Sequence, residues 1–362
     1  MNQHILVIGG GLAGCTAALK LAKGGREVTI LEKCGKIGGK VRTYGCKATD
    51  RCNNCGLCLV GDLWDQVERH QNIHVVTGAR LIDVQGSKGS FSITFKNNGG
   101  VRFLDEIGDI IVSTGFEEFS AVSSGNLEAS ANDNIINGRR MEELFSGRTD
   151  QAVFAESPGS IAFIQCFGSR DVREKAAYCS RVCCGYSTRM ARVLRKIYPQ
   201  AEIVFFYMDL QRVEAGEYFQ CLTGEGIEFV RCRPVKIKPG KPSRLQYEQP
   251  GTGFVIEKEF DVMILSEGIH PAKDSERLAE LCMLKLDGNG FLKYVKAGEK
   301  TGIYLSGCAS GPKKIEEVHA EALAVARGIL NEAAGGTEKV TSHFQKPIRE
   351  GTFSPALDGG GL

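Results

Sequence analysis

Four cysteines in the middle of this 362-residue chain have a spacing that calls for a chemical reason. They are Cys166, Cys179, Cys183 and Cys184, a Cys-x12-Cys-x3-Cys-Cys pattern whose last three members crowd the stretch "YCSRVCCGYS". Cys179 and Cys183 are four apart and would share one face of a helix, with Cys184 turned about a quarter turn away. Cys166 ends an apolar strand, "SIAFIQC". Thiolates from a strand end and one helical turn suit a [4Fe–4S] cluster. Tetrahedral zinc uses the same donors, and buried inert thiols are the third reading. Arg170, Arg173, Arg181 and Arg189 are close enough in sequence to offset the negative charge of a cluster.

A second group, Cys46, Cys52, Cys55 and Cys58, lies in "GCKATDRCNNCGLCLVGDLW". It admits a second cluster, a redox dithiol or structural thiols. Cys15 falls on the first predicted helix and reads as core. Cys34, Cys221, Cys232 and Cys282 read as ordinary thiols, and His4, His74 and His319 form no metal-binding pattern.

The other chemical signature is at the N-terminus. Gly9, Gly11 and Gly14 make G-x-G-x-x-G directly after the strand "HILVI" and at the opening of a helix, so Leu12 and Ala13 fall at the start of that helix. The first glycine makes the turn, the second admits a pyrophosphate and the third lets helix and strand pack closely. The helix N-terminus favours the phosphate charge. Glu32 ends the next strand, 18 residues after Gly14, where an acid bonds a ribose hydroxyl. Lys33 follows it. Three further features favour FAD over NAD. "GKIGGK" lets the backbone at Gly38 and Gly39 pass close beneath the cofactor; Lys40 and Arg42, which follow Gly39, read as phosphate contacts or, alternatively, as surface residues. "DIIVSTG" runs a strand into Thr114 and Gly115. "GIYLSGCA" is a second such strand near the C-terminus.

These features must be positioned by alternating strands and helices. Short continuous apolar strands between helices predict parallel sheets with helices on both faces. The predicted organisation is a discontinuous FAD-binding domain (1–120 and 271–335), a linker (121–156), a segment resembling a nicotinamide domain (157–270) and a loose tail (336–362). Net charge of +2 argues against a nucleic-acid partner, and no apolar run approaches the length of a membrane span. The N-terminus shows no signal-peptide pattern, so the expected location is cytoplasmic, where clustered cysteines bind metal or do redox work.

Together these features resemble the two-dinucleotide flavoprotein family that includes thioredoxin and glutathione reductases. That resemblance places Gly307 and Cys308 near the flavin. One departure matters. The middle segment opens "SIAFIQCFGSRD" without a second G-x-G-x-x-G, so a nicotinamide pyrophosphate has no backbone cradle there.

"FIQCFGSRD…YCSRVCCGYS", "PQAEIVFFYMDLQ" and "GIYLSGCASGPKKIEEVHAEALA" resemble a narrower family, the A-type subunits of heterodisulfide reductase, over roughly residues 4 to 330. The resemblance implies that Cys166, Cys179, Cys183 and Cys184 hold a [4Fe–4S] cluster beside FAD. It also implies B- and C-type partner subunits, and a homodimer for the isolated chain. Ferredoxin-type Cys-x2-Cys-x2-Cys-x3-Cys-Pro runs are absent, which makes the chain similar to the short subunits of sulfur oxidisers. The function then expected is electron transfer in cytoplasmic sulfur oxidation. The alternative is a stand-alone NAD(P)H or dithiol flavin oxidoreductase working through Cys52 and Cys55.

Overall fold

The computed structural model describes residues 4–50, 52–119, 134–146, 153–211, 222–295 and 301–333. Cys221 and the expected tail lie outside these residues.

The first unit is built on a seven-stranded sheet. Strand β1 (His4–Ile8) leads through helix α1 (Leu12–Lys23) to β2 (Glu27–Leu31); helix α2 (Leu63–Arg69) precedes β3 (Ile73–Val76). Then come β4 (Arg80–Ser87), β5 (Ser90–Asn97) and β6 (Gly100–Val112), and the order across the sheet is β3-β2-β1-β6-β5-β4. β1 pairs in parallel with β2 and β6, as the sequence predicts. β4 and β5 instead run antiparallel to their neighbours, so this sheet is mixed. The cause is local: Ser87–Ser90 and Asn97–Gly100 close tight hairpins around polar and glycine residues.

The second unit begins earlier than expected. Within the predicted linker, Ile135–Asn137 form β8 and Gly138–Ser146 form helix α3, following the two-residue strand β7 (Glu117–Glu118). Met141 and Phe145, four apart, share a helical face and are buried, which the polar residues around them mask in the sequence. β9 (Ser160–Phe167), α4 (Cys183–Ile197), β10 (Glu202–Tyr207) and β11 (Ile227–Arg231) follow. An antiparallel meander of β12 (Lys236–Lys238), β13 (Ser243–Glu248) and β14 (Val255–Phe260) leads into β15 (Val262–Glu267). The second sheet is fully parallel in the order β11-β10-β9-β15-β8.

The chain returns through β16 (Ile269–His270), which pairs with β7; this ribbon ties the outgoing and returning crossings together. Helix α5 (Ser275–Leu281) and the β17–β18 hairpin (Lys285–Leu286, Leu292–Lys293) precede β19 (Ile303–Leu305). β19 adds to β6 in parallel and completes the first sheet, and α6 (Ile315–Ala333) then packs on α1. Among the described residues no helix is long and apolar enough to cross a membrane.

One strand position conflicts with its surroundings. Asp109 on β6 has a buried Oδ1 without a hydrogen-bond partner among the described residues, and burial raises its pKa from 3.8 to about 6. Between those values the folded chain holds a proton that the unfolded chain has released, so stability falls as pH rises through that window. Asp109→Asn is expected to add about 1–2 kcal/mol at neutral pH and to flatten this pH dependence, read by urea unfolding.

Candidate functional site

A cavity of about 770 Å³ runs from the carboxyl end of β1 to the start of α4. That size fits a bound organic cofactor. At one end, Gly9, Gly11, Leu12 and Ala13 open α1 against it. A Cβ on Gly14 would stand 1.9 Å from the Gly9 carbonyl oxygen, and one on Gly9 would stand 2.5 Å from that of Ser113. Gly11 differs: a Cβ there would meet no atom within 4 Å and would project into open space. Two of the three glycines therefore allow close packing, and the third keeps a cradle clear at a helix N-terminus. The geometry fits a dinucleotide pyrophosphate.

Glu32 is buried and braces this turn, accepting Gly10 N–H at 2.7 Å and Cys34 N–H at 2.8 Å while still lining the cavity. Thr114 and Gly115 line it as well, and the buried Thr114 Oγ1 has no hydrogen-bond partner among the described residues. An unpartnered hydroxyl at the wall of a cavity suits a polar ligand. Gly39 and Cys308 reach the wall; Gly14, Gly38 and Gly307 stand behind it. Gly307 donates its N–H to Glu321 at 2.6 Å, and burial pushes the Cys308 thiol up to about 11. Lys33 and Lys40 line the cavity, but β7 carboxylates share their charge. Lys33 lies 3.4 Å from Glu117, and Lys40 lies 3.7 Å from Glu117 and 3.6 Å from Glu118.

Sequence reasoning missed the far end. Lys47 and Glu142 form a buried ion pair at 2.5 Å in the cavity wall, with Lys47 also donating to Gly45 O at 3.0 Å. Burial raises the Glu142 carboxyl against the opposing pull of Lys47. Tyr44 and Tyr186 flank them, both raised by burial. These partners come from the first unit and from the supposed linker, 95 positions apart, so no local pattern announces them.

The four spaced cysteines gather at the junction of β9 and α4. Cys179 is not on the helix, which starts at Cys183; it sits in the preceding loop, so the shared helical face expected from the spacing does not form. Cys166, Cys183 and Cys184 are buried and Cys179 is partly exposed. Burial raises the Cys183 thiol well above its ordinary value and Cys184 to about 12, and the charges of Cys166 and Cys179 push both further in the same direction. Cys166 is raised by burial; Arg170, held by Asp209 at 2.6 Å, hydrogen-bonds its sulfur and opposes that shift. The four sulfurs thus lie within electrostatic reach of one another. The loop between them is strained: of the seven non-glycine residues with positive φ among those described, Cys166, Arg170, Lys175 and Arg181 belong to it. The donor chemistry and the wrapped loop fit a thiolate-bound centre. With the side chains as they stand, no group of three or more His, Cys, Asp or Glu among the described residues converges as a metal site.

At the same junction an aromatic ring packs against the backbone turn that follows β9. A Cβ on Gly168 would fall 2.0 Å from the Phe119 ring, which packs edge-on against Phe167 at 5.8 Å. His270 is 5.3 Å from that ring and hydrogen-bonds Gly168 O at 2.6 Å. Aromatic side chains fill the carboxyl end of β9.

A family model described as an NAD(P)-binding Rossmann-like domain matches residues 7–60, which span β1, α1 and β2. Over nearly the whole chain the similarity is to methanogen proteins. An iron-sulfur A-type subunit of CoB–CoM heterodisulfide reductase from Methanopyrus kandleri is 27% identical, covering 96% of this chain and 67% of its own length. The A-type subunit of the ferredoxin/F420H2-dependent CoB–CoM heterodisulfide reductase from Methanosarcina acetivorans is 26% identical, over 91% of this chain and 53% of its own.

At this level of identity the chain is similar to the A-type subunits of methanogen heterodisulfide reductases.

It spans about half to two thirds of the length of these relatives, which come from methanogens rather than from the sulfur oxidisers expected. Among solved structures, T. acidophilum thioredoxin reductase aligns with a TM-score of 0.63 at 15% identity, over 92% of this chain and 99% of its own. The NAD-dependent persulfide reductase from A. fulgidus aligns at 0.55 and 17%, over 90% and 59%. The fold is the Rossmann-type α/β fold of the thioredoxin-reductase class, as the sequence predicted.

Proposed function

We propose that this chain is an FAD-dependent oxidoreductase. Gly11, Glu32 and Thr114 would hold the dinucleotide, and the cavity end at Tyr44, Cys308 and the start of α4 would hold the flavin ring. Bound there, FAD would supply exchange of electrons in pairs or singly. The protein's part is to shape the cavity, to seat the phosphates at α1 and to hold the buried Lys47–Glu142 pair beside the ring.

We further propose that Cys166, Cys179, Cys183 and Cys184 hold a [4Fe–4S] cluster, making the chain the electron-transfer subunit of a heterodisulfide-reductase-like complex. One observation carries this reading. Arg181, Val182, Gly185, Tyr186 and Arg189, which surround Cys183 and Cys184, form a wall of the same cavity that Gly9 and Gly11 open. A centre held there would lie beside the flavin. The cluster supplies one-electron transfer. B- and C-type partner subunits, a homodimer, a cytoplasmic setting and a role in sulfur oxidation are what the resemblance adds to this proposal. Cys183→Ala is expected to abolish the EPR signal of the reduced, anaerobically purified protein while the flavin absorbance stays. A surviving cluster signal would refute the ligand set.

A second reading, a stand-alone flavin oxidoreductase, is favoured by the lack of a converged metal-binding group among the described residues. The Phe119 ring in the β9 turn speaks against its NAD(P)H form and leaves thiols as the electron source.

A further inference from the structure

The core between the second sheet and α4 is apolar until it reaches the cysteine turn. On the α4 side of the sheet, Ile161 of β9 stands opposite Val262 of β15, and Phe163 stands opposite Ile264. All four are buried and belong to one core with Met190, Ala191 and Leu194 of α4. Side chains alternate along a strand, so the next positions on this face are Gln165 and Ser266. Both are polar, yet their exposures are 4% and 0%. The facing stripe of α4 turns polar at the same level. Ser187 is fully buried and lies one helical turn after Cys183.

The three side chains bond to one another. Gln165 Nε2 donates to Ser266 Oγ at 2.8 Å, and the Ser266 and Ser187 hydroxyls are 2.7 Å apart. Gln165 Oε1 is buried with no hydrogen-bond partner among the described residues. A serine hydroxyl donates as well as accepts, so the amide can equally stand with its oxygen on Ser266 and its NH2 at the unpartnered position. Apolar side chains would fill this rung without the desolvation cost of three polar groups. Each member also adjoins the cysteine centre. Gln165 precedes Cys166, and Ser266 precedes Glu267, whose carbonyl accepts the Cys183 S–H at 3.4 Å. A polar rung placed only where the core meets the thiols departs from core patterning in the way that functional sites do.

We propose that Gln165 donates an amide N–H to sulfur of the four-cysteine centre and raises its reduction potential, with Ser266 and Ser187 as the positioning residues that hold the amide. The inference rests on the reading of Cys166, Cys179, Cys183 and Cys184 as ligands of a [4Fe–4S] cluster. Ser266 binds the amide oxygen and so decides which end of the amide faces the thiolates. Reduction adds one negative charge to a centre already rich in thiolate. An N–H donor beside the sulfurs favours that reduced form, whereas burial alone opposes it.

The test is a redox titration of the anaerobically purified whole chain, with dithionite and mediators, followed by EPR. Gln165→Met keeps the length of the side chain and removes the donor. Its cluster is expected to reduce at lower potential, the ratio of reduced to oxidised cluster falling about tenfold at fixed potential, or about 59 mV for one electron. Ser266→Ala is expected to shift in the same direction by less. Met190→Leu, a conservative change in the same apolar stripe, should keep the parent potential, so that loosened packing does not mimic the effect. A Gln165→Met cluster that titrates with the parent overturns the inference and leaves the cluster reading standing. Should Gln165→Met retain no iron, Ser266→Ala decides in its place: a lowered potential supports the inference and a parental one overturns it. A parent protein without iron and sulfide would overturn the cluster reading itself, and this inference with it.

Discussion

Replacing Gly11 with valine is expected to give a folded protein that no longer retains flavin. The position has open space where a Cβ would go, so folding loses little; that space is the cradle itself, so the side chain displaces the pyrophosphate. The expected weakening is on the order of 100-fold, about 2.7 kcal/mol. Gly14→Val is the contrast. Its Cβ would lie 1.9 Å from a backbone oxygen that cannot move without shifting the β1–α1 turn, and the cost is about 3 kcal/mol or more in stability. Circular dichroism and flavin fluorescence on the two purified variants separate these outcomes. Equal flavin content in Gly11→Val and the parent would mean that the cradle is not where the phosphates sit.

The second large effect is expected at Lys47. Lys47→Met removes the partner of a carboxylate that is buried, and leaves Glu142 facing Tyr44 and Tyr186 without its cation. Breaking one side of such a pair costs about 3–5 kcal/mol when the other charge is stranded. Glu142 relieves part of this by taking up a proton, so the loss should be greatest well above the ordinary carboxylate range and shrink as pH falls. The double variant Lys47→Met/Glu142→Leu should recover most of the stability, since two apolar side chains leave no stranded charge. Urea melts of the single and double variants measure this, and additive losses would show that the pair is not coupled.

The sequence carried the features whose meaning is local. The turn at Gly9, Gly11 and Gly14 could be read because strand, turn and helix are consecutive. The antiparallel β4–β5 strands escaped notice because short apolar runs do not reveal strand direction. Cys179 was placed on a helix because four-residue spacing is ambiguous between a helix and a loop that bends through Arg181 in the left-handed region. Lys47, Glu142 and Tyr186 could not be foreseen: each looks ordinary in its own segment, and only the docking of α3 and α4 against the first unit brings them to one wall. The hydrogen bonds from Arg189 and Arg192 to Asn53 are of the same kind, spanning 136 and 139 positions.

The most direct measurement is the content of iron, acid-labile sulfide, zinc and flavin in the anaerobically purified chain. The proposal of a flavin beside a four-cysteine cluster predicts about four iron and four sulfide per FAD, with no zinc. Zinc in place of iron, or flavin with neither metal nor sulfide, would contradict it.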